Sequence, residues 1–126
     1  MENSRKYSRQ REAILQLLKS RTDHPTAETL YFDMKKKIPD ISLATVYRNL
    51  KLLSEEGDIL KLTLETSDRF DGNPNPHYHF YCLKCKHVSD LDETYNESLN
   101  NDFNKDGKYM IYGHNLYFYG ICDHCL

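Results

Sequence analysis

A chain of 126 residues can form one ordinary domain, or two small domains that each need stabilisation from a metal ion, disulfides or a partner chain. The formal net charge of −2 conceals an asymmetry, because residues 1–53 contain 11 Lys and Arg against 6 Asp and Glu, whereas residues 54–126 contain 6 against 13. The sequence shows no run of about eighteen apolar residues and no readable charged-then-apolar leader, so no membrane span is expected and a cytoplasmic location is predicted.

The first half of the chain predicts three helices followed by two strands. Each helix has an N-cap ahead of apolar residues at helical spacing: residues 7–20 with Ser8 as cap, residues 26–38 with Thr26, and residues 42–57 with Ser42. The third helix is expected to place four polar residues away from its apolar positions: Thr45, Arg48, Asn49 and Lys51. Period-two patterns predict strands over residues 58–66 and 67–71. This order of elements is typical of a winged helix-turn-helix.

The second half predicts a small sheet with one helix. Residues 71–77, "DGNPNPH", are rich in Gly, Pro and Asn and predict a hinge. Strands over residues 77–82 and 87–91, a helix over 93–103 and two tail strands joined near Gly113 are then expected. So small a sheet could hardly bury its aromatic residues alone, which predicts dimerisation through the sheet. The predicted fold is α+β, with a winged-helix domain over 1–71, a hinge over 72–76 and a small α/β dimerisation domain over 77–126.

The four cysteines form two identical pairs, Cys82-x-x-Cys85 and Cys122-x-x-Cys125. Each pair lets two thiolates converge on one cation from a tight turn, and two such turns complete a tetrahedral zinc site. Disulfides or a dithiol redox motif are the competing interpretation, which a cytoplasmic location disfavours. A closed site of this kind would stabilise a domain that has a small core.

A second set of potential metal ligands combines histidines with aspartates. His77 and His79 are two apart on a predicted strand, so both rings project from one face. Asp71 precedes the hinge, and the paired strand would return Asp90 toward the histidines. If the two halves fold toward each other, His24 would complete a site of three nitrogens and two carboxylates, a set suited to Fe(II), Mn(II) or Zn(II).

Six separated segments form a recognisable set: "HPTAETLY", "SLATVYRNLKLLSEEG", "RFD", "HYH", "CLKC" followed by Asp90, and "YGICDHC". Their order and spacing resemble those of the ferric uptake regulator family from about Tyr7 to Cys125. That family consists of dimeric winged-helix repressors, so the resemblance implies a homodimer that binds an inverted repeat in double-stranded DNA. It also implies structural Zn(II) on Cys82, Cys85, Cys122 and Cys125, and regulatory Fe(II) or Mn(II) on His24, Asp71, His77, His79 and Asp90.

The aspartates indicate a branch of the family. In having Asp at both positions 71 and 90, the chain resembles the peroxide-responsive repressors, whereas iron-uptake regulators usually carry Glu at both positions. In peroxide-responsive relatives, Fe(II) and hydrogen peroxide convert a ligand histidine to 2-oxo-histidine; by position, the susceptible residues would be His24 and His77. The alternative is an iron- or manganese-responsive uptake regulator without peroxide chemistry.

A third metal site, seen in many iron-type relatives, would need His and Asp on either side of His77. The chain has Pro76 and Tyr78 there. Its other expected members, Glu97 and His114, therefore lack partners, and no third metal site is expected.

The DNA-binding surface is predicted on the third helix, which would lie in the major groove. Four of its residues would face bases and phosphates: Ser42, Thr45, Tyr47 and Arg48. Candidates for neutralising phosphate charge are Lys51, Arg9, Arg11 and Lys61. For Tyr47, packing against the preceding helix is the alternative.

Two other classes of protein are alternatives to a repressor. A metalloenzyme would need an open coordination position and a general base in a substrate pocket, and no residue fills the second role, so the chain is predicted not to be an enzyme. A zinc-storage or scaffold module would not require a basic Tyr47-Arg48 helix. Hydrogen peroxide, as a signal, is the single small molecule expected to act on the protein.

Overall fold

The computed structural model describes residues 2–65 and 67–126, with side chains from Tyr7 onward. The chain forms two compact units, the first ending at Asn75 and the second covering Pro76–Leu126. Thr66, the last residue of the first predicted strand, lies outside the described residues, as does Met1. The domain limits given above stay a prediction.

The first unit contains three helices followed by an antiparallel pair of strands. Its elements are α1 (Glu2–Lys19), α2 (Ala27–Lys37), α3 (Leu43–Glu55), β1 (Leu60–Thr63) and β2 (Asp68–Asp71). Leu60 pairs with Asp71 and Thr63 with Asp68, so the two strands match over their whole length. The order of elements is the predicted one.

Local capping explains two of the three helix starts. The Thr26 hydroxyl accepts a hydrogen bond from the Thr29 N–H at 3.2 Å, and the Ser42 hydroxyl accepts one from the Thr45 N–H at 3.1 Å. Both caps were predicted correctly. The prediction of Ser8 as a cap is wrong because α1 begins at Glu2. No Gly or Pro precedes Ser8 to end a helix there.

The core of the first unit lies between the three helices and the hairpin. Its buried members come from the three helices and from β2: Ile14 and Leu18, Leu30 and Met34, Val46 and Leu50, and Phe70. Asn49 was expected on an outer face but is buried, with its side-chain Nδ2 donating to the Thr45 carbonyl at 2.9 Å. The backbone carbonyl satisfies the buried amide, which is how a polar residue enters this face of α3.

The second unit contains a three-stranded sheet and one short helix. Its elements are β3 (His79–Cys82), β4 (Val88–Asp90), α4 (Ser98–Asp102) and β5 (Tyr117–Gly120). The strand order is β4-β3-β5, with β4 antiparallel and β5 parallel to β3. An N-terminal helical part and a C-terminal sheet-containing part together give the α+β fold that was predicted.

Two predicted elements of the second unit differ from the structure. The helix is shorter than residues 93–103, because asparagines around it favour caps and turns over helix interiors. The first tail strand does not form among the described residues 108–116. There the side chain of Asn104 bonds both backbone groups of Ile111, its Oδ1 at 2.9 Å and its Nδ2 at 3.4 Å, in place of a neighbouring strand.

The tail exposes several large side chains: Tyr109, Met110, Tyr112, Phe118 and Tyr119. β5 is also an edge strand. Such an exposed aromatic edge is typical of a surface that another chain covers. No described helix has the length and apolar character needed to cross a membrane.

Candidate functional site

The four cysteines of the second unit converge as one group. Each offers a sulfur atom, all within 4.8 Å of one another. The Cys85 and Cys122 Sγ atoms are 3.8 Å apart, and all four residues are free thiols. A compact set of four sulfurs without other donors is the ligand set of a closed structural zinc site.

Backbone geometry builds this group from its two turns. The N–H groups of Cys85 and Cys122 both donate to the Cys82 sulfur at 3.4 Å. Lys86 adopts a positive φ of 65°, and its N–H donates to the Cys82 carbonyl at 2.9 Å, which closes the first turn. The Leu83 N–H donates to the Gly120 carbonyl at 2.8 Å, so β5 brings the C-terminal pair to the first pair.

The thiol electrostatics indicate a group arranged for a cation. The two backbone N–H groups lower the pKa of Cys82 to about 6, which makes it a thiolate at neutral pH. The neighbouring Cys122 sulfur raises the pKa of Cys125 to about 12. The pKa of Cys85 is raised overall. A hydrogen bond from the His87 backbone is the largest single influence and lowers this pKa, but the Cys82 thiol, burial and the Cys122 thiol together outweigh it. To hold all four sulfurs as thiolates this close together, the site would need a positive charge among them, which zinc supplies.

A second cluster in this unit joins two histidines to one carboxylate. His79 lies directly opposite Asp90 in the β3–β4 register. The Asp90 Oδ1 atom is 3.1 Å from the His77 Nε2 and 3.3 Å from the His79 Nε2. The two rings have centroids 4.3 Å apart, so they share one face as predicted. The three side chains present converging donor atoms for a cation.

The first unit holds a separate histidine and aspartate pair. The His24 Nε2 lies 3.0 Å from the Asp71 Oδ2, and both side chains are buried. The other carboxylate oxygen of Asp71 accepts the Asn73 N–H at 2.9 Å, which orients Oδ2 toward His24. His24 has a positive φ of 51°, and the adjacent Pro25 carbonyl accepts the Phe70 N–H at 3.0 Å, so β2 fixes this bend beside Asp71.

Gly72 explains why Asp71 sits where it does. A Cβ on Gly72 would lie 2.8 Å from the Lys19 backbone N and Cα and 2.9 Å from the Leu18 carbonyl carbon. Only glycine permits so close an approach of the chain to the end of α1. The carboxylate position therefore depends on a residue that is not itself a ligand.

The predicted DNA-binding helix presents a basic and aromatic surface. Tyr47 is 42% exposed, and Arg48 and Lys51 are exposed on the same helix. With Lys61 they line a groove of about 440 Å³ between α3 and the hairpin. The Lys61 Nζ is 3.7 Å from the Asp68 carboxylate, which also borders this groove.

The remaining predicted DNA-binding residues have different surroundings. The Ser42 and Thr45 hydroxyls are 2.9 Å apart at the cap of α3, so both have partners within the helix start. On α1, Arg9 is exposed and Arg11 is half-buried. Neither arginine lines the α3 groove.

The Tyr47-Arg48 pair has partners that the sequence did not name, although Glu28 lies on α2, the preceding helix given above as the alternative contact of Tyr47. The Tyr47 hydroxyl donates to the Glu28 Oε1 at 2.5 Å; this hydrogen bond lowers the pKa of Glu28 and raises that of Tyr47. The Arg48 guanidinium lies 5.8 Å from the centre of the Tyr7 ring. Pairs so far apart in sequence leave no local signal.

Two further histidines discussed from the sequence, His87 and His114, lie outside these metal-ligand clusters. His87 is exposed, as expected. His114, expected to lack partner ligands for a third metal site, belongs to neither ligand group among the described residues; its ring instead contacts the Tyr78 hydroxyl, the Tyr95 hydroxyl and the Asn100 side chain.

Comparison with known proteins agrees with this architecture. A protein-family model described as "Ferric uptake regulator family" matches residues 2–119. The chain is 37% identical over 129 aligned positions to the ferric uptake regulation protein of Bacillus subtilis, covering 98% of this chain and 87% of that protein. It is 34% identical to the peroxide-responsive repressor PerR of Staphylococcus epidermidis, covering 92% of this chain and 78% of the relative.

A solved structure extends the likeness to three dimensions. The Campylobacter jejuni peroxide stress regulator superposes with a TM-score of 0.84 at 29% identity, covering 98% of this chain and 94% of that one. Family profile, curated relatives and fold therefore agree over nearly the whole length. The chain belongs to the ferric uptake regulator family, whose members are metal-responsive, DNA-binding dimeric regulators of transcription and not enzymes.

Proposed function

We propose that this protein is a homodimeric, metal-dependent transcriptional repressor that senses hydrogen peroxide. The observation that carries the proposal is the pair of clusters on either side of the connection between the two units. The first unit provides the pair His24 and Asp71, and the second unit provides the cluster of His77, His79 and Asp90. Neither cluster alone supplies the six or so ligands that Fe(II) or Mn(II) takes.

The short connection makes a shared cation site possible. Asp71 and His77 are six residues apart, so their Cα atoms are separated by at most roughly 21 Å in a fully extended chain. Together the clusters provide three imidazole nitrogens and two carboxylates, a set suited to Fe(II), Mn(II) or Zn(II) rather than to a closed thiolate site. Binding at all five residues would hold the two units in one relative orientation, and a ligand that favours one orientation shifts the population toward it.

The four cysteines are proposed to hold structural Zn(II). This site has no open position, and it ties the start of the second unit to its C-terminal end. Zinc there would maintain the sheet that carries His79 and Asp90, while the regulatory site exchanges its metal. The two sites thus have different roles in one small unit.

The DNA step is proposed for α3. Its exposed Tyr47, Arg48 and Lys51 suit a helix that enters the major groove, with the tyrosine and arginine toward base edges and the lysine toward phosphates. Lys61 on the hairpin, together with Arg9 and Arg11 on α1, would add phosphate contacts. In a two-fold symmetric dimer, two such helices would bind an inverted repeat, and binding would weaken as salt rises.

Peroxide sensing is proposed from the two aspartates and the relatives. Both Asp71 and Asp90 are the shorter carboxylate, and a PerR protein is among the relatives above. Iron(II), when bound, supplies the redox chemistry that activates hydrogen peroxide. The net change is the insertion of one peroxide oxygen at the ring C–H between the two nitrogens of His24 or His77, with water as the second product. The modified ring is a poorer ligand, so the site would open and release the DNA.

A second candidate function is metal-dependent repression without peroxide chemistry. The 37% identity to the Bacillus subtilis ferric uptake regulation protein supports it. The same ligands and the same DNA surface would serve both functions. The two proposals differ in whether peroxide changes a ligand histidine.

The test of regulation compares His24→Ala with a matched control, His87→Ala, which removes an exposed histidine outside both clusters. DNA duplexes selected from a randomised library by the Mn(II)-loaded protein serve as probes. His24→Ala is expected to keep its zinc and its dimeric state but to bind the selected duplex no more tightly with Mn(II) than without it. A retained metal response in His24→Ala, equal to that of His87→Ala, would refute the shared site.

The test of sensing loads the protein with Fe(II) under anaerobic conditions and adds hydrogen peroxide. Peptide mass spectrometry is expected to find one added oxygen on His24 or His77, with loss of binding to the selected duplex. The Mn(II)-loaded protein is the control. If the histidines remain unmodified and DNA binding persists, the regulator without peroxide chemistry is the correct function.

A further inference from the structure

A polar network in the second unit lies outside both metal clusters. The His114 Nε2 is 2.7 Å from the Tyr78 hydroxyl, and the His114 Nδ1 is 2.7 Å from the Asn100 Oδ1. The Tyr95 ring stacks on His114 with centroids 4.5 Å apart and planes 13° from parallel. Asn96 adds a backbone N–H, and we call these residues the His114 network: Tyr78, Tyr95, Asn96, Asn100 and His114.

The direction of each hydrogen bond follows from the available donors. The Asn96 N–H donates to the Tyr78 hydroxyl at 3.0 Å, so the hydroxyl proton of Tyr78 is available for the His114 Nε2. His114 then carries its own proton on Nδ1 and donates it to the Asn100 Oδ1. Both ring nitrogens are used by side chains of this network, and no lone pair of the imidazole remains for a metal ion.

Tyr95 connects the network to the tail. Its hydroxyl accepts the His114 backbone N–H at 3.2 Å and the Asn100 Nδ2 at 3.4 Å. The tail segment before β5 is therefore tied to α4 through side chains, in a region without strand pairing of its own. This gives the network a rigid support on three separate stretches of the chain.

The network reaches the metal cluster through Tyr78, which lies between His77 and His79. Adjacent side chains of an extended segment point to opposite faces, so Tyr78 points away from the face that carries the two histidines. Tyr78 is buried, and its carbonyl accepts the Leu91 N–H at 3.0 Å. Its side chain and its backbone are thus both held.

His77 has particular need of this support. β3 begins at His79, so His77 lies before the first residue of the strand ladder. Its Nε2 nevertheless lies 3.1 Å from the Asp90 carboxylate, close to the His79 ring. The residue that follows His77 is fixed by His114, which limits rotation of the segment that carries both rings.

We propose that the His114 network is a metal-free positioning device that sets the affinity of the regulatory site by orienting His77 and His79. The inference rests on the regulatory site proposed above. Tyr78 and His114 act through the ligand strand and do not bind the cation themselves. Their role resembles that of groups behind metal ligands elsewhere, whose loss weakens metal binding although no ligand is removed.

The test measures Mn(II) affinity by titration calorimetry on the zinc-loaded, full-length chain. Tyr78→Phe keeps the ring and removes the hydroxyl, and it is expected to weaken Mn(II) binding by roughly 10-fold at unchanged zinc content. Tyr109→Phe, which changes an exposed tyrosine, is the matched control and should bind Mn(II) like the parent chain. The visible spectrum of the Co(II)-loaded site should also change in Tyr78→Phe, because it reports ligand geometry directly.

A second variant separates positioning from folding. If Tyr78→Phe loses zinc, Asn100→Leu is used instead, since it removes the acceptor of the His114 proton at a residue remote in sequence from the ligands. Where both variants keep their zinc, combining Asn100→Leu with Tyr78→Phe should weaken Mn(II) binding by less than the product of the single effects, because both act through His114.

Two results would overturn the inference. The first is a zinc-loaded Tyr78→Phe variant, or Asn100→Leu where that variant replaces it, whose Mn(II) affinity and Co(II) spectrum equal those of the parent chain. The second is the loss of one bound metal ion per chain in His114→Phe, which would make His114 a ligand. His79→Ala distinguishes this failure from failure of the proposed function. If His79→Ala leaves Mn(II) binding unchanged, the regulatory site itself is wrong; if it abolishes binding while the network variants do not weaken it, only the positioning role is wrong.

Discussion

Replacing Gly72 with alanine tests the close contact that places Asp71. The new Cβ would lie 2.8 Å from two backbone atoms of Lys19, about 0.6 Å closer than the 3.4 Å at which ordinary contact begins. Backbone atoms cannot rotate away as a side chain can, so the end of α1 or the chain at Gly72 must move. Overpacking of this kind costs about 1–3 kcal/mol, more than the ~0.4–1 kcal/mol that alanine contributes by restricting the unfolded chain.

Thermal unfolding of the zinc-loaded chain measures the effect. For a domain of this size each kcal/mol lowers Tm by roughly 4–8 °C, so the first unit should unfold clearly earlier. Mn(II) affinity should also fall, because Asp71 is the residue next to the displaced position. Gly120→Ala is the control, since its Cβ would lie 3.6 Å from the Phe80 ring, an ordinary contact. If Gly72→Ala unfolds at the parent temperature and binds Mn(II) normally, the contact with Lys19 does not place Asp71.

Two further predictions concern the other surfaces. Glu28→Gln weakens the acceptor of the Tyr47 hydroxyl, so the raised pKa of Tyr47 should fall toward its ordinary value in an ultraviolet titration. Affinity for random duplex DNA should rise, because a negative charge beside α3 is lost. An unchanged tyrosine titration would contradict this hydrogen bond. Cys125→Ser leaves three sulfur donors, so the amount of bound zinc should decrease. The second unit should then unfold at a lower temperature, while the unfolding transition of the first unit persists. Full zinc occupancy of this variant, measured by elemental analysis, would contradict the four-sulfur site.

Several candidate metal ligands could be named from sequence because their spacing is local. Two Cys-x-x-Cys turns bring sulfurs together through backbone geometry that a four-residue segment already contains. His77 and His79 share a face because strand side chains alternate, and the return strand brings Asp90 opposite His79. These inferences needed only spacing and the pairing of neighbouring strands.

The boundaries of irregular elements were harder to predict. Ser8 resembles a cap in isolation, yet α1 continues through it to Glu2. A tail strand ahead of β5 was expected from β-branched and aromatic residues, but strand formation requires a neighbouring strand. Here the Ile111 N–H donates to the Asn104 side chain instead. Propensity describes what a segment can do, whereas the available partner decides what it does.

Local spacing in the sequence was enough to predict the Thr26 and Ser42 caps, the order of the elements in the first unit, the two sulfur turns and the ligand types, since each depends on residues a few positions apart. Tertiary structure alone decided the contacts that position those groups. Tyr47 meets Glu28 across 19 residues, and Tyr78 meets His114 across 36. Gly72 lies against the backbone at Lys19. Such pairs depend on how helices and strands pack, and periodicity carries no information about a partner in another element.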